Sequence, residues 1–113
     1  MRKNILITIL LSSFFLPSFA GIKEGREIFF SRKGTYGTCA TCHPGGGTAG
    51  KWDAKTKTIG NTGKKIPDLH GISSRRTLEQ TRRLASLYAK EFEVKLSAAE
   101  IEDVVMWLYM VNK

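Results

Sequence analysis

The sequence predicts a small all-α fold of three or four helices, and three observations predict it. Two helix-start signatures, Thr77…Gln80 and Ser97…Glu100, each precede apolar residues at helical spacing. A five-residue motif, Cys39-Ala40-Thr41-Cys42-His43, supplies something for those helices to enclose. The chain is also short, at 113 residues, so it buries little core without a staple.

The first segment reads as an address rather than as structure. Arg2 and Lys3 form a short positive region, residues 5–11 and 14–16 make an apolar stretch broken only by small hydroxyls, and Pro17-Ser18-Phe19-Ala20 ends the run with small residues before Gly21. This is the pattern of a secretory signal, residues 1–20, cleaved after Ala20. Its apolar part falls short of the roughly 20 residues that span a bilayer; an uncleaved anchor is the competing reading. No later segment is apolar enough to cross a membrane. Cleavage would leave one domain, residues 21–113, which is 93 of the 113 residues.

Residues 22–30 read as a short helix. Gly25 and Phe29 are four apart and share a face; the glycine admits another backbone and Phe29 supplies apolar area. Residues 31–38 form a loop with Gly34 and Gly37 that delivers the chain to the motif.

The spacing C-x-x-C-H is that of a c-type haem attachment site. Two thiols add across the porphyrin vinyl groups as thioethers, and the adjacent imidazole is left to meet the iron. Such a haem c cannot leave, so its iron is available for electron transfer or for a small ligand. Three other readings compete. Structural zinc needs four ligands at recognised spacings, and the chain offers Cys39, Cys42, His43 and the remote His70. A thioredoxin-like pair opens a helix after a strand, whereas here Gly37 precedes the motif and His43-Pro44-Gly45-Gly46-Gly47 follows it. A disulfide between the only two cysteines is compatible with export. The export signal and the helical pattern favour haem.

Residues 44–66 are rich in Gly, Thr and Lys without a helical period. Lys55-Thr56-Lys57-Thr58-Ile59 followed by Gly60-Asn61 reads as a small hairpin, and Trp52 either packs on the haem edge or pins the loop. Lys51, Lys55, Lys57, Lys64 and Lys65 make this the most basic surface. Residues 77–93 read as a helix with an imperfect stripe of Leu78, Leu84, Ala85, Leu87, Tyr88 and Phe92. Residues 97–111 form the clearest helix, with Ile101, Val104, Val105 and Leu108 as its buried face.

In this order (a helix with Gly25 and Phe29, C-x-x-C-H, Ile66-Pro67-Asp68-Leu69, and a C-terminal helix carrying aromatics) the chain resembles the class I, mitochondrial-type monohaem cytochromes c. The resemblance implies that the first and last helices cross, with Gly25, Phe29 and Trp107 or Leu108 at the crossing. It implies His43 as proximal iron ligand, its second nitrogen donating to the Pro67 carbonyl, Leu69 against the haem face, and Arg75 or Arg76 near a propionate. The chain departs from the family in one respect. The usual sixth ligand is a methionine shortly before the last helix, and residues 84–96 contain none. Met106 and Met110 lie opposite the buried face of the last helix, facing outward, with Trp107 a possible addition to that patch. Other donors are His70, Lys90, Lys95 and Tyr88. A vacant sixth position would place the chain near the high-spin subset of the family, which binds small gases.

Loss of Arg2 and Lys3 from the 18 Lys and Arg leaves 16 against 10 Asp and Glu, a formal charge of +6. Lysines around a haem edge steer a carrier toward acidic redox partners; nucleic acid is excluded by export and by the lack of a binding motif. The expectation is a periplasmic, monomeric electron carrier that is not an enzyme and has no membrane span after processing. The alternative is a gas-binding haem protein.

Overall fold

Along the chain stand α1 (Pro17–Ser31), a single helical turn α2 (Cys39–Cys42), a 3-10 turn (Pro44–Gly46), β1 (Lys51–Asp53), β2 (Thr58–Gly60), β3 (Lys64–Lys65), a second 3-10 turn (Ile72–Ser74), α3 (Leu78–Glu91) and α4 (Ala98–Met110). This structure, a computed structural model, describes the backbone of residues 17–113 and the side chains of residues 21–113. The predicted secretory signal therefore lies outside the described residues, except for the backbone of its last four.

Helices α3 and α4 begin at the predicted capping boxes. Thr77 Oγ1 accepts from the Gln80 amide at 3.1 Å while Gln80 Oε1 accepts from the Thr77 amide at 2.9 Å. Ser97 and Glu100 repeat the exchange at 3.1 and 2.9 Å. Each box satisfies donors that the first turn leaves without partners. α3 stops where Glu93 turns left-handed at φ 57°, with the Val94 amide returning to the Ala89 carbonyl at 2.9 Å.

The first and last helices cross at Gly25. A Cβ there would lie 1.9 Å from the Asp103 carbonyl oxygen and 2.8 Å from the Val104 nitrogen, so only glycine lets the two backbones approach. Around this point Phe29, Ile72, Val104, Trp107 and Leu108 form the core. The Phe29 and Trp107 rings lie 5.1 Å apart and Phe30 meets Trp107 edge-on at 5.5 Å. Trp107 is thus 5% exposed and belongs to the crossing rather than to an outward patch. The buried arc of α4 is wider than one stripe because α1 and α3 both pack on it. Arg82 clasps Glu102 across the α3–α4 seam through Nε and Nη2 at 2.7 and 2.8 Å.

The all-α expectation is wrong. β1 pairs antiparallel with both β2 and β3 in the order β2-β1-β3, and the domain is mixed α/β. The hairpin also falls elsewhere than expected. Asp53 Oδ1 accepts from the amides of Lys55 and Thr56 at 2.9 and 3.3 Å, and Lys57 adopts φ 58°, so the chain turns at residues 54–57 rather than at Gly60-Asn61. Trp52 then pairs with Ile59 on one side and Lys64 on the other. Gly63, at φ 99°, brings β3 under Trp52, whose carbonyl oxygen would lie 2.1 Å from a Cβ at that position. Strands of two or three residues carry no readable alternation; side-chain-capped turns and glycine build this sheet.

Candidate functional site

The motif sits on the one-turn helix α2. Gly37, at φ 104°, closes a tight turn with Gly34, whose amide donates to the Gly37 carbonyl at 2.7 Å. The chain then enters α2 with the Thr38 amide donating to Thr41 Oγ1 at 3.0 Å. One helical turn sets Cys39 and Cys42 on the same face, and the His43 amide closes it on the Cys39 carbonyl at 3.0 Å. Both cysteines are free thiols and half-buried. Burial pushes both thiols above the ordinary cysteine range. That is opposite to the depressed value a disulfide-exchange nucleophile needs.

His43 is oriented by the 3-10 turn that follows. Its Nδ1 lies 2.8 Å from the Gly47 carbonyl oxygen. A carbonyl only accepts, so Nδ1 carries the proton and Nε2 keeps its lone pair. Burial, the largest influence, holds the imidazole below its usual pKa; the Gly47 carbonyl, the Pro67 carbonyl and the Asp68 charge act in the other direction. The ring is therefore a neutral donor suited to a metal. The expected partner, Pro67, acts on His43 but ranks second to Gly47, because the Pro44–Gly46 turn folds the chain straight back under the ring.

Asn112 holds this loop from behind. Its Nδ2 donates to the Gly46 carbonyl at 3.0 Å and its carbonyl accepts from the Gly71 amide at 2.9 Å. It is buried at 7% exposure. The sequence reading missed it: a polar residue after the last helix carries no periodic signal.

In front of the motif lies a cleft with about 1150 Å³ of atom-free space, its open mouth included. Cys39, Cys42 and His43 form one wall, with Phe29, Ile66 and Pro67 beside them. α3 contributes Ala85, Tyr88, Ala89 and Phe92, the i, i+3, i+4, i+7 face of one helix. Ile101, Val104 and Leu108 come from α4, and Trp52, Lys64 and Lys65 from the sheet. Trp52 packs between Tyr36 and Phe92 at 5.5 and 5.3 Å, so it lines the cleft and pins the loop together.

These residues fit a haem. The lining is mainly apolar, two alanines keep the α3 wall low, two thiols stand beside an imidazole with a free lone pair, and two lysines are available to the carboxylate edge. The described residues contain no group of three or more His, Cys, Asp or Glu side chains that would enclose a bare metal ion.

The other expected site residues are dispersed. Leu69 packs on the Phe29–Trp107 core and does not line the cleft; Ile66 and Pro67 do. Arg75 donates to the His70 and Asp68 carbonyls at 2.9 and 2.5 Å, which commits it to the loop, and Arg76 is also absent from the cleft lining. Of the sixth-ligand candidates, Tyr88 alone lines the cleft. His70 is turned away, its Nδ1 on Asp68 at 2.9 Å and its Nε2 on the Gly45 carbonyl at 3.0 Å. Lys90 and Lys95 border a separate depression, and Met110 is 53% exposed.

No protein-family model, curated protein or solved structure matches this chain. No helix among the described residues is long and apolar enough to cross a membrane.

Proposed function

We propose that the chain is exported and carries one haem c, tethered through Cys39 and Cys42 and ligated by His43, as a monohaem electron carrier similar to the class I cytochromes c. The observation that carries this reading is the placement of C-x-x-C-H on one turn of helix facing an apolar cleft, with His43 Nδ1 committed to a backbone carbonyl. The haem would supply one-electron ferric/ferrous chemistry. The protein's part is to hold and shield it. Gly47 and Pro67 orient His43, while α3, α4 and Trp52 exclude water. The exposed lysines of the sheet attract acidic redox partners. This reading involves no substrate turnover, no nucleic acid and a monomeric chain.

A second reading, a high-spin protein whose sixth iron position takes a small gas, is favoured by the cleft lining. Among the described residues no methionine and no second histidine borders it. The test is expression in a host competent for cytochrome maturation. The expected mass is that of the chain plus one haem, lost in Cys39→Ser/Cys42→Ser. Bare thiols on wild-type material would overturn both readings. A low-spin spectrum indifferent to carbon monoxide supports the carrier; rapid carbon monoxide binding supports the second reading.

A further inference from the structure

We propose that the α-ammonium created at Gly21 by signal cleavage docks on the Asp103 carboxylate and locks the α1–α4 crossing in the mature chain. The proposal rests on the reading that the chain is cut after Ala20. Water hydrolyses the Ala20–Gly21 amide, with a signal peptidase as catalyst, leaving a carboxylate on Ala20 and a protonated amine on Gly21.

The geometry points to Asp103. Gly21 is buried, and a Cβ built on it would lie 2.7 Å from Asp103 Oδ1 and 4.0 Å from the Asp103 Cα. The amine, bonded to the same Cα, is therefore created within reach of that carboxylate. Among the described residues no cation forms an ion pair with Asp103, although Glu79, Glu100 and Glu102 each have an arginine and Asp68 has His70. Burial, followed by the like charges of its neighbours Glu24 on α1 and Glu100 and Glu102 on α4, raises its pKa. A positive amine at the start of a helix is itself unfavourable. One carboxylate across the crossing corrects both faults.

The same geometry orders events. The scissile bond lies within α1 at the packed crossing, whereas proteases cut exposed, flexible chain. Cleavage precedes docking of α1 on α4, and the ammonium is present when the helices meet.

The test uses secreted, haem-loaded protein, wild type and Asp103→Asn, each with two N-termini. One is cut after Ala20. The other carries a leader fused ahead of Pro17, so that Pro17-Ser18-Phe19-Ala20 stay in front of Gly21. Intact mass verifies each start. Asp103→Asn is expected to lower the thermal midpoint of the cut form by about 4 °C. In the extended form it should leave the midpoint unchanged or raise it, because there it removes only like-charge repulsion. Equal losses in both forms would overturn the proposal.

Acylation of the Gly21 amine, followed by peptide mass analysis, reads the contact directly. We expect it to run about tenfold slower in wild type than in Asp103→Asn, the equivalent of one pKa unit; equal rates would also overturn the proposal. A natural chain that does not begin at Gly21 overturns the processing reading and this proposal together, and leaves the haem test intact.

Discussion

The α1–α4 crossing and the three-stranded sheet border the same cleft but are held together by different means. The crossing is apolar and close: Phe29 and Trp107 are 2% and 5% exposed, and two backbones touch where Gly25 has no side chain. The sheet is exposed and basic, with every lysine of β1 and β3 open to solvent. Its order comes from Asp53 capping a turn and from Gly63 admitting a neighbouring strand. Burial of large side chains is worth about 1.5–3 kcal/mol each, so stability concentrates in the crossing. The sheet contributes little apolar area beyond Trp52 and serves mainly to place that ring and Lys64 at the cleft.

The sharpest way to break this contrast is Gly25→Ala. At an ordinary interior helical position the change stabilises by about 1 kcal/mol. Here the new Cβ meets the Asp103 carbonyl at 1.9 Å, and the helices must part. We expect a loss of about 4 kcal/mol, beyond the usual range of overpacking because backbone meets backbone. Thermal or urea unfolding of the purified protein measures it. A gain in stability would remove the crossing from its central role.

The two regions were also unequally legible. The helices could be read because period and caps are local: Thr77–Gln80 and Ser97–Glu100 are each three apart, and Val104, Val105 and Leu108 repeat at helical spacing. The motif stood out because its five residues are contiguous, and the structure places them on and beside one helical turn at the cleft. The sheet was not legible, because three strands of two or three residues are specified by an Asp53 side chain and by glycine conformations, not by alternation. The sequence left Trp107 between the crossing and an outward patch because the helix wheel assumes one partner, while α4 has two. Gly47 and Asn112 were missed for a further reason. The Gly47 carbonyl reaches His43 only through the 3-10 turn, and Asn112 meets Gly46 across 66 positions of sequence.

The tryptophans sharpen the contrast with a smaller effect. Trp107→Ala empties the core and is expected to cost about 3–4 kcal/mol; if the proposed haem is bound, its environment changes only as far as the fold loosens. Trp52→Ala removes a half-buried ring held by Tyr36 and Phe92, and is expected to cost about 1–2 kcal/mol. Its larger consequence is at the cleft, where more water enters and, if the proposed haem is bound, its optical spectrum and reduction potential shift. Unfolding curves and redox titration of the two variants separate these outcomes. A Trp52→Ala protein as destabilised as Trp107→Ala, with an unchanged spectrum, would make the sheet a structural element only.

The smallest expected effect lies where α1 ends and α4 begins. The Arg32 guanidinium bonds the Glu100 carboxylate and also donates to the Lys95 carbonyl at 2.8 Å. The Arg32 bond, followed by the Ser97 amide, holds the Glu100 pKa down at about 2, against roughly 4.3 in an unfolded chain. A folded value below the unfolded one means that protonation favours unfolding. The contribution is therefore complete above the unfolded value and fades as pH falls from there toward about 2. Arg32→Ala is expected to leave the fold intact, lower stability slightly near neutral pH, and flatten the acid limb of the stability profile. The residual slope would come from the Ser97 amide, which still bonds Glu100 as the cap of α4. Because the pair is still largely open to solvent, salt should shrink the difference between variant and wild type. An acid limb identical in the two proteins would assign the depressed Glu100 pKa to the helix cap alone, and would show that Arg32 does not fasten the end of α1 to the start of α4.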